Sequence, residues 1–293
     1  MQIPPFCAII QVEIKMSLRQ RNGEIITINT KEHTKSEILK LLPRKIFKYC
    51  SINEYTFNVL ENNQLWFSAP NRFNDPFDCK IIIDFGKTKK EIMRNMTDFF
   101  PEMLIVNGLR EGFEKNAVKT KRFNRLLNEM THYAFDVGIG VCCFSEISNS
   151  PLMWAHYGNS HTGVCFIFDN TKRNLIRDNL IPVQYFKEYP EFNLSETAIN
   201  EFQSFLLHAV SSKSDDWDYE FEWRAVVESG GNKLYDFQKD LLTGIIFGIN
   251  TTTENKNKIK KIIKNKKYKN VRYYRAEIGD NDYSIKIRRE EKN

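Results

Sequence analysis

The chain has 293 residues, 41% of them hydrophobic and 13% aromatic, which is enough apolar material to bury a sizeable core and argues against disorder over most of its length. Lys and Arg number 43 against 37 Asp and Glu, a net charge of +6 that suits an anionic ligand without requiring one. No apolar run approaches the roughly 20 residues that cross a bilayer, the opening "IPPFCAIIQVEIKM" is interrupted too early for a secretory signal, and the six cysteines show no framework spacing. A cytoplasmic protein with reduced thiols and no membrane partner is therefore expected.

Taken in chain order, residues 6–16 and 24–29 read as strands joined through "RQRNGE", whose Asn22-Gly23 pair is a strong hairpin signal. "TKSEILKLLPRK" predicts a short helix capped by Thr34 or Ser36 and stopped at Pro43. These elements, 1–44, are expected as an appendage to a single α+β domain over 45–293. That domain opens with a strand at 45–49, a helix capped by Ser51 with Glu54 three residues on, a strand "QLWFS", and the turn-rich "APNRFNDPFD".

Residues 88–135 have helical period, broken at Pro101. Then come "GVCCFS" as a strand, "SPLMWAHYG" as a helix with a Ser-Pro start, and "GVCFIFD" as a strand. "SETAINEFQSFLLHAVSSK" reads as a helix, "DYEFEWRAVV" and "GIIFGI" as strands, "TTTENKNKIKKIIKNK" as a basic helix with an Ile259, Ile262, Ile263 stripe, and "NVRYYRAEI" and "DYSIKIRR" as closing strands. The expected fold is mixed α+β with a mostly antiparallel sheet core and an N-terminal β-hairpin.

Two segments carry chemistry. In "DYEFEWRAVV" strand alternation would put Asp218, Glu220, Glu222 and Arg224 on one face, with neighbouring side chains about 6–7 Å apart. That face is either an exposed surface with an ion pair or a site where paired carboxylates meet a developing positive charge. In "CCFSEISNSPLMWAHYGNSHTGVCFIFD" the histidines His156 and His161 are five apart, which fits no common zinc spacing, so no metal is expected. Trp154 and Tyr157, set among Ser145, Glu146, His156, Asn159 and His161, would suit a flat heterocycle. No nucleophile elbow, dinucleotide-binding glycine fingerprint or phosphate loop is present.

The blocks "FKYCSINEYTFNVLENNQLWFSAPNRFNDPFD", "CCFSE…LMWAHYGNSHTGVCFIFD" and "DYEFEWRAVV", between about Lys45 and Val227, resemble the bacterial family catalogued as domain of unknown function 2971. A looser likeness links the first block to ADP-ribosyltransferase-like domains, which implies an ADP-ribosyltransferase-like fold and NAD as substrate. It further implies that Lys48 takes the first-strand gripping position, where those domains carry His or Arg. Ser145 takes the middle-strand serine, and Trp154 or Tyr157 stacks on nicotinamide. Glu222 would then be the catalytic glutamate, Glu220 the residue handling the acceptor, and Lys48 and Arg224 the holders of the pyrophosphate. Tyr49, Ser68, Asn74, His156 and His161 complete the expected NAD-binding set.

The expected function is thus an NAD-dependent ADP-ribosyltransferase-like enzyme, a bacterial toxin or antiphage defence effector. It would modify a nucleic acid or a protein and be open to control by a neutralising antitoxin protein. Two alternatives remain: a non-catalytic nucleotide or nucleic-acid binding module, and a metal-dependent nuclease built on Asp75, Asp78, Glu220 and Glu222.

Overall fold

The computed structural model describes residues 15–19, 25–29, 37, 40–86, 88–99, 125, 128–129, 132–133, 138–193, 202–228 and 230–291. In chain order the elements begin with an antiparallel pair, β1 (Lys15–Arg19) and β2 (Ile25–Asn29), in which Lys15 faces Asn29 and Arg19 faces Ile25. The expected hairpin is therefore present, with its first strand reaching Arg19, past the expected end at 16; residues 6–14 lie outside the described residues, as do the cap positions Thr34 and Ser36 of the short helix.

The body starts with β3 (Lys45–Cys50), α1 (Glu54–Asn62) and β4 (Gln64–Phe67). Asn53 caps α1, its side chain accepting from the Thr56 N–H at 3.1 Å, so the cap lies two residues later than the expected Ser51. Asn63, in the left-handed region at φ 49°, closes the helix. After β5 (Ile82–Asp84) and α2 (Lys89–Phe99), further along the chain, come β6 (Gly140–Ser145), α3 (Pro151–His156) and β7 (Val164–Asp169). Ser150 caps α3 and Pro151 occupies its first turn, as the Ser-Pro start predicts.

Next come α4 (Leu175–Asp178), β8 (Leu180–Pro182), β9 (Gln184–Phe186), β10 (Glu191–Asn193), α5 (Phe202–Ser211), β11 (Ser212–Ser214) and β12 (Glu222–Val227). The chain closes through β13 (Lys233–Asp236), β14 (Leu242–Phe247), α6 (Thr253–Asn265), β15 (Arg272–Ile278) and β16 (Ile285–Arg289).

Eight strands form the central sheet in the order β16-β15-β14-β7-β3-β6-β12-β8, antiparallel throughout except for the parallel pair β14 and β15. The connection between β14 and β15 carries a helix, α6, as a parallel crossover requires. The mixed α+β class with a mostly antiparallel sheet is therefore as expected.

Alternation along the strands builds two different faces. Ile46, Phe166, Phe168, Ile245 and Phe247 point to one side, where α1 and α6 cover them with Leu60, Ile259 and Ile263. Tyr49, Cys165 and Ile246 point to the other, beneath Met153 and Trp154 of α3. The expected isoleucine stripe of α6 is its buried face. Its lysines stay outside, with Lys258 Nζ 3.7 Å from the centre of the Phe57 ring.

The sheet is not continuous at its middle. β3 and β6 share a single register pair, Phe47 with Ser145. Four residues back along β6, Val141 exchanges both backbone hydrogen bonds with Ser68, just past β4, at 2.9 and 2.8 Å. β6 thus changes partner along one edge, and a cleft opens where β3 and β6 part.

Candidate functional site

A cavity of about 110 Å³ lies in this cleft. Lys48, Tyr49, Asn74 and Ser145 line it, and so do Tyr157, Glu220 and Glu222. Seven residues expected at one site from three separate sequence blocks are therefore brought together. Lys48 stands at the break itself: its Nζ donates to the Cys143 carbonyl at 3.1 Å, reaching across where a strand ladder would otherwise run. No carboxylate lies within ion-pair distance of this half-buried ammonium among the described residues, so most of its donor capacity is left for the cavity.

Behind the cavity is a buried network of charges. Arg224 is fully buried and spends its guanidinium on protein groups: Nη2 on both oxygens of Asp78 at 2.8 Å, Nε on Glu222 Oε1 at 2.9 Å, and Nη1 on the Val210 carbonyl at 2.8 Å. Lys213 Nζ lies 2.8 Å from Glu222 Oε2, 2.5 Å from Glu220 Oε2 and 3.8 Å from Asp78 Oδ2. Tyr157 Oη donates to Glu220 Oε1 at 2.7 Å, and Tyr185 Oη accepts from the Glu222 N–H at 2.9 Å. Two cations thus face three carboxylates, leaving one negative charge in excess.

That excess is distributed unevenly. Burial alone would raise Glu222, but Arg224 and Lys213 outweigh it and hold this carboxyl far below the usual carboxylate range. Glu220 goes the other way: burial and the charge on Glu222 push it up to about 7, although Lys213 and Tyr157 both donate to it. Burial works against the charge of Lys213, but Glu222, Glu220 and Asp78 keep its pKa above the ordinary lysine value. Tyr157 is raised by burial and by Glu220, and stays a proton donor at neutral pH. Of the two glutamates, Glu222 is the one its neighbours hold as an anion and Glu220 the one more readily protonated.

Local structure explains the placement and corrects the expected strand. Residues Asp215–Glu220 form a 3-10 turn capped by Ser214, and Phe221 adopts the left-handed region at φ 46° before β12 begins at Glu222. Glu220 and Glu222 therefore meet Lys213 through a turn and a left-handed residue, not through strand alternation, and their face is buried rather than exposed. The Ser145 hydroxyl donates to the Glu220 carbonyl at 2.6 Å and accepts from the Ile147 N–H at 3.1 Å, so it buttresses the turn that carries Glu220.

Lys213 had no sequence signal. It was expected at the tail of a helix, but α5 stops at Ser211, where the Ser211 hydroxyl donates back to the His208 carbonyl at 3.2 Å, and the chain turns into β11 beside β9. Asp78 carried a signal, the "NDPFD" motif, but was assigned there only as a metal ligand.

Other expected site residues lie elsewhere. Trp154 is core: its Nε1 donates to the Ser148 carbonyl at 3.0 Å and its ring meets Tyr49 edge-on, so no ligand can stack on it. His156 is exposed, with its ring 5.9 Å from that of Trp217 and outside the cavity lining. His161 shapes a loop; with Asn159 and Ser160 it forms three successive left-handed residues, and its carbonyl accepts from the Asn250 N–H at 2.9 Å. Ser68 serves the backbone bridge to Val141. Arg224 is consumed within the charge network and cannot hold a pyrophosphate.

Among the described residues no group of three or more His, Cys, Asp or Glu side chains is arranged as a metal site. Where Asp78, Glu220 and Glu222 approach one another, the Lys213 ammonium already supplies the cation. No helix of the described residues is long and apolar enough to cross a membrane.

No curated protein and no solved structure shows a significant match to the chain. The model of a family described as a protein of unknown function, DUF2971, matches residues 153–225, the segment that carries Tyr157, Lys213, Glu220, Glu222 and Arg224, and this match bears out the DUF2971 resemblance drawn from the sequence blocks.

Proposed function

We propose that this protein is an NAD-consuming, ADP-ribosyltransferase-like enzyme whose reaction takes place in the cleft between β3 and β6. The observation that carries the reading is the convergence of Lys48, Tyr157, Glu220 and Glu222 on one cavity. The cavity volume suits a single ring rather than a whole dinucleotide. A mostly antiparallel sheet that opens beside a glutamate-bearing strand supports the corresponding fold reading.

In this scheme the C1′–N bond to nicotinamide breaks and its electron pair leaves with the ring nitrogen, discharging the pyridinium. The ribose becomes oxocarbenium-like, and the one negative charge by which Asp78, Glu220 and Glu222 exceed Arg224 and Lys213 stabilises it inside a low-dielectric site. The acceptor nucleophile bonds to C1′ and passes its proton to Glu220, whose pKa of about 7 matches a general base at neutral pH. Tyr157 and Lys213 orient Glu220. The acceptor, a nucleic acid or a protein, approaches from the open side of the cleft, and an antitoxin protein would act by covering that opening.

The test is nicotinamide release from NAD by the purified protein. Wild type should release it and Glu220→Gln should be slower by about 10²-fold or more, the usual contribution of a general base. Absence of NAD binding and turnover in wild type, or unchanged turnover in Glu220→Gln, would overturn the reading.

A further inference from the structure

The burial of Arg224 leaves the proposed dinucleotide without its expected phosphate partner, and the structure offers another. A groove of about 720 Å³ runs over the sheet face that bears Phe47, and Phe47 lines both this groove and the reactive cavity. Lys45 and Phe47 of β3, Ile167 of β7, and Arg272 and Tyr274 of β15 line it, together with Arg44 just before β3. Alternation explains the composition: positions 45 and 47, and 272 and 274, point to the same side of their strands.

Arg44, Lys45 and Arg272 are exposed, and none has a carboxylate within ion-pair distance among the described residues. The groove's two carboxylates are both engaged: Glu146 accepts from Trp223 Nε1 at 3.3 Å, and Asp169 accepts from the Thr171 N–H and hydroxyl at 2.9 and 2.7 Å. Three cations without a carboxylate partner among the described residues, beside the half-buried rings of Phe47 and Tyr274, form a surface complementary to a phosphorylated ligand carrying a planar base.

The geometry points to this groove as the binding site for the pyrophosphate and distal nucleoside of the dinucleotide, with Arg44, Lys45 and Arg272 as the phosphate-binding cations. The inference rests on the NAD reading for the identity of the occupant, while the groove's anion chemistry stands on its own residues. A nucleic-acid backbone has the same phosphodiester chemistry. The dinucleotide is favoured because the groove is one short step, across Phe47, from a cavity sized for a single ring.

The experiment titrates the full chain with ADP-ribose, inorganic pyrophosphate and a single-stranded oligonucleotide at low ionic strength. It compares wild type with Arg44→Gln/Arg272→Gln, with Lys45→Gln, and with Lys264→Gln, an exposed lysine on α6 beyond the opposite face of the sheet. ADP-ribose and pyrophosphate should bind wild type and Lys264→Gln alike and bind the double variant about 10-fold or more weakly, the loss expected for removing charge-assisted hydrogen bonds. Lys45→Gln should fall between and serves as the reading if the double variant does not fold.

Equal binding by groove variants and wild type, or no binding of either anion by wild type, overturns the proposal. So does an oligonucleotide that alone depends on the groove, since this assigns the surface to nucleic acid. Pyrophosphate binding that needs Arg44 and Arg272 in a protein that never cleaves NAD would keep the anion groove and sink the enzymatic reading. NAD turnover with an unchanged KM in the double variant would do the reverse.

Discussion

Tyr157 donates a 2.7 Å hydrogen bond to Glu220, joining the end of α3 to the 3-10 turn before β12 across 63 residues of chain. The contact selects between the two neighbouring glutamates. Glu220 has one neutral and one cationic donor, whereas Glu222 is clamped between Arg224 and Lys213 and cannot take up a proton near neutral pH.

If Glu220 is the base, kcat/KM for NAD should rise with pH and level off above about 7, because the base works only when deprotonated. Tyr157→Phe removes a donor that favours the ionised form, so the inflection should move to higher pH while the plateau falls. A pH–rate profile with no inflection near neutrality, or one that Tyr157→Phe leaves in place, would remove Glu220 from this role.

Breaking the buried network should be costly. Glu222→Gln leaves Lys213 and Arg224 short of a countercharge, and Arg224→Met leaves Asp78 and Glu222 without their main cation. Each should lose about 3–5 kcal/mol of unfolding free energy, measured by urea denaturation at neutral pH. Values within about 1 kcal/mol of wild type would show that the charges re-pair or are solvated.

Glu228, just past β12, gives a separate test of pH linkage. Its Oε2 is buried without a hydrogen-bond partner, and burial raises its carboxyl from 4.5 to about 7. Because the folded pKa lies above the unfolded one, its contribution to stability is fully present below about 4.5 and is lost as pH rises to about 7. Glu228→Gln should therefore raise the thermal midpoint relative to wild type at pH 8 more than at pH 4.5. Parallel midpoints at both pH values would contradict this account.

Gly163 ends the loop that follows α3, where a Cβ would come within 2.3 Å of the Cys50 carbonyl and 2.8 Å of the Gly158 carbonyl. Both obstacles are backbone atoms that cannot turn aside. Gly163→Ala should destabilise by about 1–3 kcal/mol, as overpacking does, and should lower Tyr157-dependent activity because the same loop carries Tyr157. A neutral substitution in thermal denaturation would show that the β3 edge can shift.

Much of the local structure was legible in the sequence. The hydrophobic period of "GVCFIFD" gave β7, Ser150-Pro151 gave the start of α3, and the isoleucine stripe gave the buried face of α6. Those signals act between residues a few positions apart, where side-chain direction follows directly from backbone period. "DYEFEWRAVV" misled because its alternation looks like a strand, while Phe221 in the left-handed region turns the chain and lets Glu220 and Glu222 reach the same lysine.

The sequence by itself determined the order of the longer elements and which short motifs hold unusual polar residues, while the short strands β5, β8, β9, β10, β11 and β13 had no signal in it. Only the tertiary structure decided which of those residues share a site. It buried Arg224 against Asp78, 146 residues earlier, sent Trp154 into the core, and brought Lys213 to Glu220. The Arg224–Asp78 contact is set by the sheet order, and the Lys213–Glu220 contact, between residues only seven apart, by the 3-10 turn and the desolvation of paired charges; local periodicity encodes neither.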